Sequence, residues 1–403
     1  MSMIRWLHIS DLHIKDKADW KAYRKEIIQK CRSCGQIDIV IVTGDFHDFS
    51  AGADFHLAQD FLVELMEGLQ LDITKDLFVI PGNHDGVTAV NKKNIYVDAI
   101  KGNPLSPDEE CLKQLESAFE DYEEFVKQLI PDYPVEHPAQ SHVRSWNDKI
   151  NFIHCNTAIA SDSRGDKQNQ MLNMESLWNV NVENEKVNIM LAHNSFSDLD
   201  TEIQSRLKDF MRVNEVVAYF CGDRHKQDFY YIEIDDKKNK RVPCVVSFKS
   251  APEAQDDYSN FGIIIGEWNG ENAGLQGWTW KSGTGFTLDG KISEIEIDMH
   301  RSDEDAEEAH EKLWEQSTDI KVCEHEQDKG SVENRKLMRA FAQKYHNLTP
   351  HMILKYNIDY EKSGWAIKNH YTEQELLDYI KRAEKDAMLE ELNRYIDKLI
   401  LGE

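Results

Sequence analysis

The stretch "VVAYFCGDRHKQD", residues 216–228, is an apolar run that stops at Gly222 and then delivers Asp223, Arg224 and His225. Alone, this is an ordinary polar turn behind a buried strand. It gains weight because four other apolar runs end in the same manner. "IRWLHIS" runs into Asp11, Leu12 and His13, and "IDIVIVTG" runs into Asp45. "DLFVIPG" runs into Asn83, His84 and Asp85, and "VNIMLA" into His193. In an open α/β sheet the carboxyl ends of the strands share one edge, and ligands bind there. Side chains carried just past five such strands are therefore expected to meet.

The segments between the runs support that architecture. "WKAYRKEIIQKC" (20–31) and "FHLAQDFLVELMEGL" (55–69) repeat apolar residues at spacings of three and four, the period of an amphipathic helix. Strand–helix–strand alternation predicts α/β layers around a mostly buried sheet. Residues 86–149 break the rhythm with Pro104, Pro107, Pro131, Pro134 and Pro138 and a helical piece around 108–130. They are read as an insertion or cap over one edge of the core. From 227 to 298 short strands alternate with Gly-rich turns, which predicts a second sheet. After Arg301 the chain turns acidic ("SDEDAEEAHEKLWEQ"), and helix-like segments follow near 333–345, 349–356, 372–385 and 387–400. Thr372 with Glu375 three residues on has the form of a capping box. The expected organisation is one domain over 1–298, an acidic linker over 299–332 and a small helical module over 333–403.

Bulk properties narrow the class. A 40% hydrophobic and 10% aromatic content fits a globular protein. Lys and Arg number 47 against 73 Asp and Glu, a net charge of −26 that opposes non-specific attraction to nucleic-acid backbones and anionic membranes. The seven cysteines (31, 34, 111, 155, 221, 244 and 323) are odd in number, and several sit inside apolar runs, as reduced thiols in a cytosolic protein do. Cys31 and Cys34 form one C-x-x-C with no second pair, which argues against a zinc site. The N-terminus has no secretory pattern, and no apolar run approaches the roughly 20 residues of a membrane helix. A cytoplasmic, non-membrane protein is expected.

Asp, Asn and His offer oxygen and nitrogen donors suited to Mn, Fe, Zn or Mg. Two such ions, roughly 3.5–4 Å apart, can hold a bridging hydroxide and clamp both oxygens of an in-line phosphoryl displacement. Asp11, His13, Asp45, Asn83, His193, Asp223 and His225 supply enough donors for a pair. Each element alone is weak: D-x-H and Gly-Asp are common turn chemistry, and a single histidine at a strand end is commonly packed or solvated. Their order and placement together carry the reading.

The series "SDLH" (10–13), "GDFHD" (44–48), "GNHD" (82–85), "LAHNS" (191–195) and "GDRH" (222–225) resembles the calcineurin-like metallophosphoesterase superfamily over roughly residues 1–298. The resemblance implies a four-layered α/β/β/α sandwich around a dinuclear centre with two divalent ions, manganese foremost and iron, zinc or magnesium as alternatives. It implies that Asp11, His13 and His225 hold one ion, that Asn83 and His193 hold the other, and that Asp45 bridges them. His84 would face the leaving group as a general acid or charge stabiliser, and Asp85 would orient its ring. The chain departs from the family at one place: the usual G-H-x-H is G-D-x-H here. Asp223 stands where a histidine would ligate the Asn83 ion, and a carboxylate there favours a harder cation.

The function implied is hydrolysis of a phosphoester, with a nucleotide or nucleic-acid phosphodiester as the leading substrate. Alternatives are a nuclease of the DNA-repair type, a phosphomonoesterase, or a binding or regulatory module with a reduced metal site. Lys92, Lys93 and Lys101 are candidates to grip phosphates. The segment behind residue 333 has amphipathic spacing and faintly resembles small helical adaptor modules; the leading reading is a helical bundle that packs on the catalytic domain or forms a homo-oligomer, with a protein partner as the alternative.

Overall fold

Strand β1 (Ile4–Ile9) shows how the layers arise. Ile4 and Trp6 point to one side and Leu7 and Ile9 to the other, and both sides are apolar. β2 (Ile39–Thr43) and β3 (Leu77–Ile80) repeat the alternation: Ile39, Ile41, Phe78 and Ile80 face inward, and Val40, Val42, Leu77 and Val79 face outward. A strand buried on both faces must be covered twice, so it reads as a continuous apolar run.

In the computed structural model the described residues are 3–14, 17–47, 55–86, 109–161, 170–183, 185–235, 240–250, 261–270, 272–281, 283–288, 292, 295–298, 379–380, 382–383, 385 and 388–401. The outer face of β1–β3 is covered by α1 (Lys17–Cys34) and α2 (His56–Leu69), joined to β3 through the short α3 (Ile73–Asp76), which Asp72 caps by accepting from the Thr74 amide at 3.0 Å. Further along lie α4 (Glu109–Ser117) and α5 (Glu120–Leu129). A second sheet carries β4 (His142–Trp146), β5 (Ile150–Cys155), β6 (Val187–Ala192), β7 (Val216–Cys221), β8 (Asp228–Asp235) and β9 (Lys240–Val246), in the order β4-β5-β6-β7-β9-β8. Its outer face packs on α6 (Met174–Trp178) and α7 (Thr201–Val213). Between the sheets Phe78 meets Phe152 with ring centroids 4.1 Å apart, and Trp6 stacks on Phe220 at 5.9 Å. Helices, sheet, sheet, helices: the α/β/β/α order follows from which faces are apolar.

Two expectations are corrected. The strands after residue 227 do not make a sheet of their own. β8 and β9 extend the second sheet, whereas β10 (Gly262–Trp268), β11 (Asn272–Lys281), β12 (Gly285–Leu288) and β13 (Ile295–Asp298) join the first, with β10 antiparallel to β1 (Ile4 opposite Trp268). Pairing partners are a non-local choice that short apolar runs do not encode. Nor is the described part of 86–149 a cap. Tyr122, Phe125, Val126 and Leu129 of α5 are buried in the first core with Phe46 and Phe55, and Phe125 stacks on Phe55 at 4.7 Å. β4 is the edge strand of the second sheet, and its Arg144 donates to the Leu77 and Thr74 carbonyls.

The chain divides into two compact units, Met1–Arg301 and Ser302–Glu403. In the second, α8 (Leu389–Leu401) is described, with Leu392 and Ile396 buried one turn apart. The expected linker over 299–332, the helix-like segments near 333–345 and 349–356, and Lys92, Lys93 and Lys101 lie outside the described residues. Among the described residues no helix is long and apolar enough to cross a membrane. The thiols of Cys31, Cys34, Cys155, Cys221 and Cys244 are free.

Two buried imidazoles give the fold a pH dependence. His142 and His154 stack at 4.2 Å across β4 and β5, and burial pushes His142 down to about 4 and His154 lower than its ordinary value. Both rings must be neutral to stay packed, so their contribution is complete above pH ~6.5 and is lost as pH falls towards 4. For His142 alone this amounts to about 3 kcal/mol. Urea midpoints should fall between pH 6.5 and 5, before carboxylates titrate, and His154→Phe should flatten that slope. A midpoint equal in both proteins at every pH would contradict it.

Candidate metal centre

β1, β2 and β3 run parallel to one another, as do β5, β6, β7 and β9 in the other sheet. The loops behind β1, β2, β3, β6 and β7 bring the predicted residues together. The first two continue as a ladder: the Asp11 amide donates to Gly44 O (3.0 Å) and the His13 amide to Asp45 O (2.9 Å). The third is tied in by Asp85, whose buried carboxylate accepts the amides of Asp45 (2.7 Å), Phe46 (2.8 Å) and Gly82 (2.7 Å). The two sheets are sewn together where His193 Nδ1 donates to Thr43 O (2.6 Å), a carbonyl that also accepts from Ser10 Oγ within the first sheet (3.0 Å).

Close approach sets the residue types beside the donors. A Cβ on Gly44, whose φ is 92°, would lie 2.6 Å from Gly82 Cα and His193 Nδ1, and a Cβ on Gly222 would strike Ser10 Oγ. Asp11, His13, Asp45, Asp223 and His225 all adopt left-handed backbone, with φ of 52°, 41°, 58°, 66° and 54°. Each such residue costs on the order of 1–3 kcal/mol and persists where its surroundings over-determine it, as they do at functional sites.

The side chains form two overlapping groups. Asp11, His13, Asp45 and His225 each offer one donor atom within 4.8 Å of the others. His13 Nε2 faces His225 Nε2 at 3.1 Å, and Asp11 Oδ1 lies 3.3 Å from His225 Nε2. The second group gathers on His193 Nε2, which is 2.9 Å from Asn83 Oδ1, 3.5 Å from Asp45 Oδ2 and 3.6 Å from Asp223 Oδ1. Asp45 Oδ2 belongs to both, 3.6 Å from His13 Nε2 and 3.5 Å from His193 Nε2. Asp223 thus turns its carboxylate towards His193, with the Asn194 side chain against it. His84 donates its amide to Asp45 Oδ1 (2.8 Å), packs its ring edge-on against His13 (centroids 4.6 Å) and keeps its side chain 19% exposed on the open side.

These donors fit divalent cations. The Thr43 carbonyl can only accept, so the His193 proton sits on Nδ1 and a neutral ring turns the lone pair of Nε2 towards three oxygens. A lone pair facing oxygen lone pairs is unfavourable unless a cation or proton lies between. The same oxygens draw positive charge to the ring: burial opposes it, yet Asp45 and Asp223 hold His193 well above its ordinary value. Asp11 Oδ1, fully buried, has no hydrogen bond of its own. Burial pushes His13 down to about 4 against the pull of Asp45 and Asp11, which keeps its ring available as a neutral donor.

Asp85 accepts three backbone amides and so organises the loop beneath the donors. Burial and the Asp45 charge push Asp85 above its usual range, and His47, the Gly82 amide and His193 counter them in part. The sequence reading also missed Lys249, which follows β9 on the same edge, is 6% exposed, and places its charge against His225. The run "VPCVVSFKS" carried the same strand-end signal and went unused.

Residues 4–227 match the calcineurin-like phosphoesterase family. The match takes in more than half of the chain, and the chain belongs to that family. Its members use divalent metals, and the geometry above supplies a candidate metal-binding group. Among solved structures, a predicted phosphoesterase from Streptococcus pneumoniae TIGR4 is 11% identical, with 74% of this chain and 99% of that one covered and a TM-score of 0.32. Vacuolar protein sorting 29 from Cryptosporidium parvum is 12% identical (73% and 98% covered, TM-score 0.35). GAP50, the anchor in the inner membrane complex of Plasmodium, is 12% identical (77% and 94% covered, TM-score 0.37). A search of curated proteins returns no match.

Replacing Asp85 by Ala leaves three buried amides without an acceptor, a cost of about 3 kcal/mol or more. Urea unfolding of the metal-free variant should show that loss, with Asp85→Asn intermediate. Wild-type stability in Asp85→Ala would show that the amides find other partners.

Proposed function

We propose that this protein is a dinuclear metal-dependent phosphodiesterase acting on a nucleotide or nucleic-acid phosphodiester. One observation carries the reading: a single carboxylate oxygen, Asp45 Oδ2, stands 3.6 Å from His13 Nε2 of one donor group and 3.5 Å from His193 Nε2 of the other. That is the placement of a bridging ligand. Asp11, His13 and His225 complete one position, and Asn83, His193 and Asp223 the other. Divalent ions held there supply Lewis-acid polarisation of the phosphoryl group and activation of water. Manganese leads the candidates because the second position is rich in oxygen donors.

The protein's own groups do the rest. His193, hydrogen-bonded through Nδ1, offers Nε2 in a fixed direction. His84 stands on the open side beside Asp45, where its ring can donate a proton to a departing alkoxide; such assistance contributes typically 10²–10⁴-fold. A poor leaving group gains most from it, which favours diesters with alkyl or nucleoside oxygens over monoesters. The net charge of −26 favours short or small substrates over long polyanions.

With Mn²⁺, the protein should hydrolyse bis-(4-nitrophenyl) phosphate, and Asp45→Asn should abolish the activity while far-UV circular dichroism is unchanged. His84→Ala should lose more, by about 10²-fold or greater, on a dinucleotide than on the nitrophenyl ester, whose anion leaves unaided. Equal losses on both substrates would remove the acid role. No turnover of any diester or monoester with several metals would favour a binding module instead.

A further inference from the structure

The turn Gly222–His225 holds two left-handed residues, Asp223 and His225, around one ordinary one, Arg224. Such a turn persists only when its surroundings fix it. Two backbone contacts do so: the Gly222 amide donates to His193 O (2.8 Å) and the Asp223 amide to Asp11 Oδ2 (3.1 Å). The third restraint is the Arg224 side chain. Its Nε donates to Asp198 Oδ2 (3.0 Å) and its Nη2 to Asp198 Oδ1 (2.8 Å), a bidentate fork, while Nη2 also reaches Ser197 Oγ (2.5 Å). Nη1 lies 3.6 Å from Asp228.

Asp198 closes a short 3₁₀ turn, Phe196–Asp198, on the loop that begins with His193. Tyr230 of β8 pins the same loop, its hydroxyl 2.7 Å from Ser195 Oγ and 3.2 Å from the Ser197 amide. One planar ion pair therefore joins the loop that carries His193 to the turn that carries Asp223 and His225. Bidentate guanidinium–carboxylate pairs fix geometry as well as add energy.

We propose that Arg224 is a positioning residue: paired with Asp198, it holds the Asp223 carboxylate against His193 and so shapes the second metal position. The proposal rests on the dinuclear reading given above. It makes a prediction opposite in sign to simple electrostatics. A guanidinium near cations repels them, so deleting its charge alone should tighten metal binding. Loss of a clamp should loosen it. Lysine keeps the charge and loses the fork, so Arg224→Lys separates the two effects.

The test titrates Mn²⁺ into the metal-free full chain by calorimetry, with bound ion counted by electron paramagnetic resonance. Wild type should take up two ions. Arg224→Gln, Arg224→Lys and Asp198→Asn should each weaken the position that takes His193 and Asp223 by about tenfold or more, the usual effect of losing a residue that orients a ligand, and the position that takes His225 by less, because only the former draws ligands from both the clamped loop and the clamped turn. The double variant Arg224→Gln/Asp198→Asn should be no worse than the singles, because both remove one interaction. Unchanged far-UV circular dichroism serves as the control for folding. Tighter or unchanged second-site binding in Arg224→Gln, a wild-type Arg224→Lys, or a loss at the His225 position as large as that at the Asp223 position would each overturn the clamp. Uptake of fewer than two ions by wild type would overturn the dinuclear reading and the clamp together.

Discussion

Moving a carboxylate out of water costs several kcal/mol unless charge and hydrogen bonds replace its hydration. Asp45 is 1% exposed, and the organisation of the strand-end loops can be read as the means of keeping it ionised. Burial opposes the charge, but His193 first, then His13 and His84, outweigh it and hold the group below the usual carboxylate range. The His84 amide satisfies one oxygen at 2.8 Å, and imidazoles surround the other. Because these groups come from both sheets, the carboxylate is also the point about which the sheets are registered. Thr43, two residues earlier, accepts from His193 across the same seam.

That arrangement accounts for the sequence around it. Loops from five strands converge within a few ångströms, so their backbones must touch. Gly44 and Gly222 lie where any side chain would collide with a neighbouring loop. Five of the seven donors sit in left-handed conformations, which Asp and His adopt more readily than most residues, and the surrounding hydrogen bonds supply the compensation. Asp85 serves this scaffold: its buried carboxylate accepts three backbone amides.

The same logic explains what was legible from sequence. Asp11, Asp45, Asn83, His193 and His225 could be found because each follows an apolar run, and a parallel sheet brings such positions to one edge. The four layers were legible because both faces of β1–β3 are apolar, which demands two coverings. The fate of "FGIIIGEW" was not. It pairs with β1, more than 250 residues earlier, and nothing in an apolar strand names its partner. Asp198 was equally hidden: an acid in a loop looks solvated until Arg224 is seen to grip it. The prolines of 86–149 suggested a cap, but the spacing of Tyr122, Phe125, Val126 and Leu129 placed that helix in the core.

Asp223 gives the proposed centre an asymmetry. One position would receive two imidazoles, His13 and His225, with the carboxylates of Asp11 and Asp45. The other would receive a single imidazole, His193, with three oxygen donors from Asp45, Asn83 and Asp223. Borderline ions favour imidazole, and harder ions favour oxygen. A second histidine in place of Asp223 would make the two positions alike in nitrogen count; the carboxylate makes them unlike and adds a negative charge beside Asp45. That charge also raises the demand on anything holding Asp223 in place, since two carboxylates facing a shared imidazole repel one another when no cation lies between them. A rigid pair on the far side of the turn, Arg224 with Asp198, answers that demand without adding a cation inside the site.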